Sequence, residues 1–305
     1  MKCAITTLLA SALLALPAIL AAAPPVIVLW PEGVPGLKAN ALPEKIENGR
    51  ITQIHQPGLL VFPPERAKVT GTAVVVCSGG GYVRISVNPR GDSTTRLFNS
   101  LGVTVFVLKY RLSDYGHPAP LQDVLRAIRT VRSRAKEFGV APDRIGVMGA
   151  SAGGHLSACA ATLWDSPAGK TGASLDAVSA RPDFAVLVYP VISMSAPFTH
   201  GGSCKGLLGD NPAPELADAL SVEKHVRKDG PPVFICATMA DSVVPVENSL
   251  AFYQALAKAG VPSEMHVYPQ GSHGNCYDPQ YGPTTAWPRR MEEWMRFNHW
   301  LEIKN

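Results

Sequence analysis

The stretch Val147–His155 reads VMGASAGGH and places one serine, Ser151, among glycines and alanines just after a short apolar run. Residues 149–153 fit the pattern G-x-S-x-G, in which a strained turn from a strand into a helix holds a serine side chain clear of the backbone. In a chain with 27 glycines, so short a pattern also describes a close-packed turn without chemistry. The surrounding sequence has to decide between a nucleophile and a packing residue.

Short apolar runs alternate with helical patterns through most of the chain. Runs of this length suit strands that are buried on both faces of a parallel sheet. They are Thr72–Cys77, Val103–Leu108, Ile145–Met148, Phe184–Tyr189, Val233–Ala237 and Met265–Tyr268. Helical patterns between them include Ala152–Leu163 and Glu247–Ala259, the latter stopped by Gly260. The sequence predicts one α/β domain over residues 24–305, a doubly wound, mostly parallel sheet flanked by helices, without a large lid domain.

Several local patterns give further structural expectations. Arg50–Ile54 and Leu59–Phe62 predict antiparallel strands around a Gln-Pro-Gly turn, and residues 190–230 predict loops and short helices over one edge. A helix whose apolar side holds Leu121, Val124, Leu125, Ile128 and Val131 has a basic side that we expect to be solvated rather than a binding patch. That side consists of Arg126, Arg129, Arg132 and Lys136. The buried face of the last helix is predicted to hold Trp287, Met291, Trp294 and Met295.

Composition excludes some function classes. The 305 residues are 46% hydrophobic and 17% charged, and the formal net charge is +4. So small and evenly spread a charge gives no reason to expect a nucleic-acid partner. The sequence contains no G-x-x-x-x-G-K-[ST] phosphate loop, and none of its cysteines has the spacing of metal ligands. The sequence gives no indication of oligomeric state.

The first residues predict an export signal. Lys2 precedes an apolar run from Cys3 to Leu20, and three alanines follow it. This is typical of a secretory signal peptide over residues 1–23, which implies a secreted or periplasmic protein. A membrane anchor is the alternative, but the run is short for a spanning helix, so we expect no stable membrane insertion.

Five cysteines remain beyond that segment, an odd number that cannot all pair within one chain. Cys77, Cys159 and Cys236 lie in apolar or alanine-rich stretches and are predicted to be buried. Cys204 and Cys276 lie in glycine-rich loop segments. If the chain forms a disulfide, this pair is the favoured one.

A nucleophilic serine needs a base, and eight histidines compete for that role. His273 follows directly after the strand that ends at Tyr268, and ligands of parallel α/β sheets bind beyond the carboxyl ends of strands. His155 lies one helical turn after Ser151 and is expected to pack or to hydrogen-bond structurally. The others lie in settings that favour them less: His55, His117, His200, His225, His266 and His299. His273 is the predicted base.

The acid that orients the base should follow the preceding strand. Val233–Ala237 leads to Asp241, which could also cap a turn or a helix start. The rival Asp210 lies in a Gly-Asp-Asn-Pro turn. The resulting order, Ser151, Asp241, His273, is the order in which the α/β-hydrolase fold carries its triad, each residue beyond a separate strand.

A loop after Thr72–Cys77 can supply an oxyanion hole. Ser78-Gly79-Gly80-Gly81-Tyr82 lets backbone N–H groups face a ligand without obstruction by side chains. The amide of Gly79 or Gly80, with that of Ala152, is predicted to hold the oxyanion, and Tyr82 to line the acyl pocket. Dinucleotide binding is the alternative for such a loop, but it requires G-x-G-x-x-G at a helix start, which this loop does not match.

These segments resemble the α/β-hydrolase superfamily, and within it the secreted bacterial carboxylesterases of the acetyl-xylan-esterase and feruloyl-esterase-like group. The resemblance rests on SGGGY at 78–82, KYRL at 109–112, PLQDVLRAI at 120–128, GASAGGHLSA at 149–158, LLGDNPAPELADALSVEKHV at 207–226, PPVFICATMADSVVPVENS at 231–249 and YPQGSHG at 268–274. It implies ester hydrolysis without a cofactor, on acetyl or other short acyl groups of a plant polysaccharide. The chain departs from the group at Ser78, where relatives often carry His or Pro.

Three other functions share these residues. A serine peptidase and a formamidase or amidase would use the same triad, although a peptidase usually carries an additional domain for peptide selection. A binding protein with little turnover is the alternative from another class. Such proteins usually lack the serine or the histidine, and this chain has both.

Overall fold

The structure is a computed structural model that describes residues 24–86 and 91–303. The predicted signal peptide, residues 1–23, lies outside the described residues. The strands are β1 Val26–Val28, β2 Lys45–Glu47, β3 Arg50–Thr52, β4 Gly58–Phe62, β5 Ala73–Cys77, β6 Ile85–Ser86, β7 Thr104–Lys109, β8 Ile145–Ala150, β9 Ala185–Val188, β10 Val233–Thr238 and β11 Ser263–Tyr268. The α-helices are α1 Ser93–Ser100, α2 Ala119–Ser133, α3 Ala152–Thr162, α4 Gly201–Leu208, α5 Pro214–Ala219, α6 Glu247–Ala259 and α7 Trp287–Phe297.

Eight strands form one sheet in the order β1-β4-β7-β5-β8-β9-β10-β11. From β7 to β11 all neighbours are parallel, whereas β4 is antiparallel to both β1 and β7. The parallel strands are apolar and mostly buried, because helices cover them. The predicted doubly wound, mostly parallel α/β fold is confirmed.

The order of the strands creates a crevice beside β5. β5 lies between β7 and β8 in the sheet, and the chain visits these two neighbours on opposite sides of β5 in turn. The loops that leave β5 and β8 therefore diverge. In the register of this pair, Cys77 at the end of β5 lies opposite Gly149. The glycine loop and the serine turn therefore begin side by side, at the edge where open α/β sheets bind their ligands.

The predicted N-terminal hairpin is wrong. β4 lies between β1 and β7 in the main sheet, so both of its edges are occupied. β3 instead pairs with β2 and β6 in a separate antiparallel sheet, with Ile51 opposite Ile85. Both isoleucines are buried, and their burial holds this small sheet against the core.

The solvated face predicted for α2 is wrong at Arg126 and Arg129, both of which are buried. The carbonyl of Leu29 accepts from Arg126 Nε at 2.9 Å, and that of Val178 accepts from Arg129 Nε at 3.1 Å. Irregular segments cover this side of the helix and take up the guanidinium groups. Arg132 is half-buried and pairs with Asp183, and Lys136 is exposed as predicted.

Of the remaining packing predictions, those on burial are confirmed and the one on a disulfide is wrong. Cys77, Cys159 and Cys236 are buried, and so is the predicted stripe of α7. The favoured disulfide is absent, since all five cysteines of the described residues are free. Cys276 instead contacts Tyr189 and Trp287. Within residues 24–86 and 91–303, no helix is long and apolar enough to cross a membrane.

Candidate active site

Ser151 occupies a sharp turn between β8 and α3. Its backbone has φ 57° and ψ −127°, a conformation that residues other than glycine rarely adopt. Two contacts with β9 and the chain after it hold the turn. Ser151 N donates to the carbonyl of Val188 at 3.2 Å, and the carbonyl of Ser151 accepts from Val191 N at 3.1 Å. The strained turn is built into the sheet and holds the serine at the mouth of the crevice.

Two glycines make this turn possible. A Cβ on Gly149 would lie 2.0 Å from the carbonyl oxygen of Gly153. A Cβ on Gly153 would lie 2.0 Å from the carbonyl oxygen of Cys77. Both are clashes with backbone that no rotamer relieves. The first turn of α3 therefore packs directly on the end of β5, which brings Ser151 beside the glycine loop.

The three predicted catalytic residues lie together. Ser151 Oγ lies 2.8 Å from His273 Nε2, and His273 Nδ1 lies 2.6 Å from Asp241 Oδ2. The carboxylate can only accept, so Nδ1 carries the proton and Nε2 accepts from the hydroxyl of Ser151. The side chain of Asp241 is 2% exposed and that of His273 is 18% exposed. This is the geometry of a nucleophile, a base and an orienting acid.

Asp241 acts both as a cap and as the partner of His273. Its Oδ1 accepts from the N–H groups of Val243 and Val244, both at 2.9 Å, which leaves Oδ2 for His273. Burial alone would raise the pKa of Asp241. The hydrogen bonds from His273 and from the two backbone N–H groups outweigh burial and hold that pKa below its ordinary value. The rival Asp210 is exposed and pairs with Lys205.

Two further side chains, Tyr189 and His200, lie near the base. The ring of Tyr189 packs edge-on against His273, with centroids 4.8 Å apart. His200 also lines the crevice, and its pKa is lowered by burial and then by the nearby His273. Tyr189 is the last residue of the predicted strand Phe184–Tyr189, and ligands of parallel sheets bind beyond such strand ends. His200 follows no such signal, since it comes from the irregular segment that leads into α4.

The glycine loop passes close to the serine. A Cβ on Gly79 would lie 3.1 Å from Ser151 Cβ, so the bare backbone at this position is required. Among the described residues, the backbone N–H groups of Gly79, Gly80 and Ala152 donate to no backbone carbonyl outside regular elements and to no side chain. The hydroxyl of Tyr110 donates to the carbonyl of Ser78 at 2.7 Å and anchors the start of the loop. The three predicted oxyanion-hole residues lie around Ser151 with amides available to a ligand.

Tyr82 does not line the cleft, and that prediction is wrong. Its side chain is fully buried, and its hydroxyl lies 2.7 Å from His155 Nδ1. Its φ of 63° turns the chain at the end of the glycine loop, and the ring enters the core against Tyr110. His155 Nε2 donates to the carbonyl of Leu220 at 2.8 Å, so Nδ1 accepts from Tyr82. His155 is structural, as expected.

The serine opens into a cleft of about 880 Å³. Its walls come from the glycine loop, the turn at Ser151, the loop that carries His273, and the start of α4. Polar side chains that the sequence did not identify include Arg50, Arg84, Asp92, Thr94 and Lys205. In the part of the chain that the structure describes, no group of His, Cys, Asp or Glu could hold a metal ion. The arrangement is suited to nucleophilic attack by a serine on a carbonyl carbon.

Curated relatives are similar to this chain over about two thirds of its length. Residues 59–256 match the BD-FAE family. An acetylxylan esterase of Xylanibacter ruminicola is 36% identical over 71% of this chain and 43% of its own length. An endo-1,4-beta-xylanase B of Butyrivibrio fibrisolvens is 37% identical over 66% of this chain and 32% of its own length. The chain thus spans less than half of either relative.

A solved structure matches almost end to end. The acetyl ester-xyloside bifunctional hydrolase of Caldicellulosiruptor lactoaceticus superposes with a TM-score of 0.80 at 38% identity, over 93% of this chain and 99% of that one. The family match covers more than half of the sequence, and this relative carries the same fold. The chain therefore belongs to the BD-FAE family, as an α/β-hydrolase of the acetyl-xylan-esterase-like kind.

Proposed function

We propose that the chain is a serine carboxylesterase that hydrolyses acetyl or other short-acyl esters through an acyl-enzyme. One observation carries the proposal: the continuous contact from Asp241 through His273 to Ser151, which ends at a cleft lined by available backbone amides. The family and the named esterases among its relatives support the same chemistry.

In this mechanism Ser151 Oγ attacks the carbonyl carbon while His273 Nε2 takes the hydroxyl proton. Asp241 fixes the imidazole in the required tautomer and stabilises its charged form. The amides of Ala152 and of Gly79 or Gly80 hold the tetrahedral oxyanion, each contributing roughly 3 kcal/mol. Protonated His273 then gives its proton to the leaving alkoxide, and water hydrolyses the acyl-enzyme by the same steps.

We propose acetylated xylan-type polysaccharide as the substrate. The support is the similarity to a relative named acetylxylan esterase and to a solved acetyl ester-xyloside hydrolase. The cleft of about 880 Å³ exceeds what a short acyl group alone would fill, which leaves room for part of a sugar chain. We further propose that residues 1–23 direct export of the protein to the outside of the cytoplasm, where it would meet a polymeric substrate. Fractionation of the expressing cells tests this, because an uncleaved product in the cytoplasm would contradict it.

Acetate release tests the function. Wild type is compared with Ser151→Ala, and with Ser133→Ala, which removes a hydroxyl from α2 that donates only to the carbonyl of Thr130. The substrates are 4-nitrophenyl acetate, longer 4-nitrophenyl esters, acetylated xylan, methyl ferulate and a peptide amide.

We expect wild type and Ser133→Ala to release acetate from the small ester and from xylan, and Ser151→Ala to release neither. Hydrolysis of the small ester but not of acetylated xylan would overturn the proposed substrate and leave the proposed esterase activity standing. Faster cleavage of the peptide amide than of any ester would assign the triad to an amidase or peptidase. A folded wild type without any hydrolysis would overturn the function.

A further inference from the structure

The wall of the cleft has an excess of positive charge. Three basic side chains, Arg50, Arg84 and Lys205, and one acidic side chain, Asp92, line it. Lys205 is neutralised by Asp210 at 2.6 Å. Within residues 24–86 and 91–303, neither Arg50 nor Arg84 has an ion pair or a side-chain hydrogen bond. A guanidinium group that faces a cleft without a protein partner is available to an anion.

The small sheet explains why Arg50 faces the cleft. In the antiparallel register of β3 and β6, Arg50 lies opposite Ser86 and Ile51 lies opposite Ile85. Side chains alternate between the faces of a strand, so the two isoleucines enter the core on one face. Ser86 and Arg50 then share the other face. Arg84 directly precedes β6, and all three residues line the cleft.

Arg84 also lies directly beside the amides proposed for the oxyanion hole. A Cβ on Gly80 would lie 3.0 Å from Arg84 Cγ and 2.2 Å from the carbonyl oxygen of Arg84. The aliphatic stem of this arginine therefore rests on the glycine loop.

The nearby carboxylates are already engaged. Asp92 Oδ1 accepts from Thr95 N at 2.8 Å and caps α1. Glu47, the register partner of Arg50, bonds to Lys45 at 3.0 Å at the exposed edge of the small sheet. With Lys205 paired to Asp210, the two unpaired guanidinium groups outnumber the one carboxylate of Asp92, so this wall keeps an excess of one positive charge.

We propose that Arg50 and Arg84 form a subsite for a carboxylate carried by the ester substrate, so that acidic sugars such as acetylated uronic acids are preferred over neutral ones. The proposal rests on the proposed esterase function and specifies its substrate. Arginine suits this task because its planar donors match the two oxygens of a carboxylate. The carboxylate would lie on the alcohol side of the ester, because an acetyl group carries no carboxylate of its own.

Binding to the Ser151→Ala variant tests the subsite without turnover. The probes are acetylated glucuronic acid and acetylated glucuronamide, in which an uncharged amide replaces the carboxylate. Calorimetry measures the binding of both. We expect the acid to bind about tenfold more tightly than the amide. In the Ser151→Ala background, Arg84→Gln should remove most of this tenfold preference for the acid. Arg50→Gln should reduce the preference only about threefold, because Arg50 is exposed to solvent. Added Arg66→Gln removes an exposed charge from Arg66–Lys68, outside the cleft lining, and should leave the ratio unchanged.

Two results would overturn the subsite: equal binding of acid and amide, or an equal loss with Arg66→Gln, which would indicate only general attraction. Acetate release by wild type separates this failure from failure of the esterase. Hydrolysis of both probes at equal kcat/KM would refute the subsite but would support the proposed esterase activity. Hydrolysis of neither would refute the esterase, while the binding ratio still decides the subsite.

Discussion

Acidification should destabilise the fold through His155. This side chain is fully buried between Tyr82 and Leu220, and burial lowers its pKa from 6.5 to about 4. The folded protein therefore keeps the imidazole neutral at a pH where the unfolded chain protonates it. Because the unfolded state binds more protons in this window, the full stability with respect to His155 is present above pH 6.5. The free energy of unfolding then falls as the pH drops towards 4.

The magnitude follows from the two pKa values. Between neutral pH and about pH 4.5 the difference in proton binding amounts to about 2.5 kcal/mol, at 1.36 kcal/mol per unit of pKa. Below pH 4 the folded state also takes up the proton and the loss levels off. Other buried groups add their own dependence on pH, so the contribution of His155 has to be measured as a difference between variants.

Urea unfolding at neutral pH and at about pH 4.5 provides that difference. The His155→Gln variant keeps an N–H that can reach the carbonyl of Leu220 and cannot be protonated. Whatever its stability at neutral pH, it should lose about 2.5 kcal/mol less than wild type on acidification. Equal losses in the two proteins would show that His155 is not held neutral by burial and would refute the reasoning.

Three further variants test the account. Asp241→Asn should lower kcat about 10⁴-fold in an ester assay, because an amide disfavours the required tautomer of His273, while its thermal midpoint stays close to wild type. Tyr82→Phe should cost about 1–3 kcal/mol in urea unfolding, because His155 Nδ1 loses its donor, and should leave kcat/KM for a small ester near wild type. Gly153→Ala should cost about 1–3 kcal/mol and at least about 10² in kcat/KM, because its methyl group meets the carbonyl of Cys77 and displaces the serine turn.

Each variant has a contradicting result. Activity within tenfold of wild type in Asp241→Asn would remove this carboxylate from the mechanism. A raised KM with unchanged stability in Tyr82→Phe would return the tyrosine to the substrate pocket. Wild-type behaviour of Gly153→Ala would show that α3 does not pack on β5 as described.

The parts of the fold that follow from local sequence were predictable. Six apolar runs became parallel strands, and Gly260 ends α6 in a left-handed conformation. The positions of Ser151, Asp241 and His273 followed from a topological rule, since the carboxyl ends of parallel strands share one edge. Whether the three side chains touch depended on distances that only the structure supplies.

The predictions that were wrong concern long-range partners. Nothing near β3 in sequence indicates that it pairs with β6 rather than with β4, because the choice depends on which edges of β4 are occupied. The arginines of α2 have a polar pattern, but irregular segments without periodicity cover them and accept their hydrogen bonds. At Tyr82 a positive φ decides which way the ring points, and sequence adjacency to the glycine loop does not reveal it.

The central claim is that Ser151 is a nucleophile activated by His273. A fluorophosphonate probe tests this directly, because an activated serine displaces its fluoride and keeps the phosphonyl group. Peptide mass spectrometry of the labelled protein should find the added mass on Ser151, absent in Ser151→Ala and strongly reduced in His273→Ala. A folded wild-type protein that stays unlabelled, or carries the label on another residue, would contradict the account.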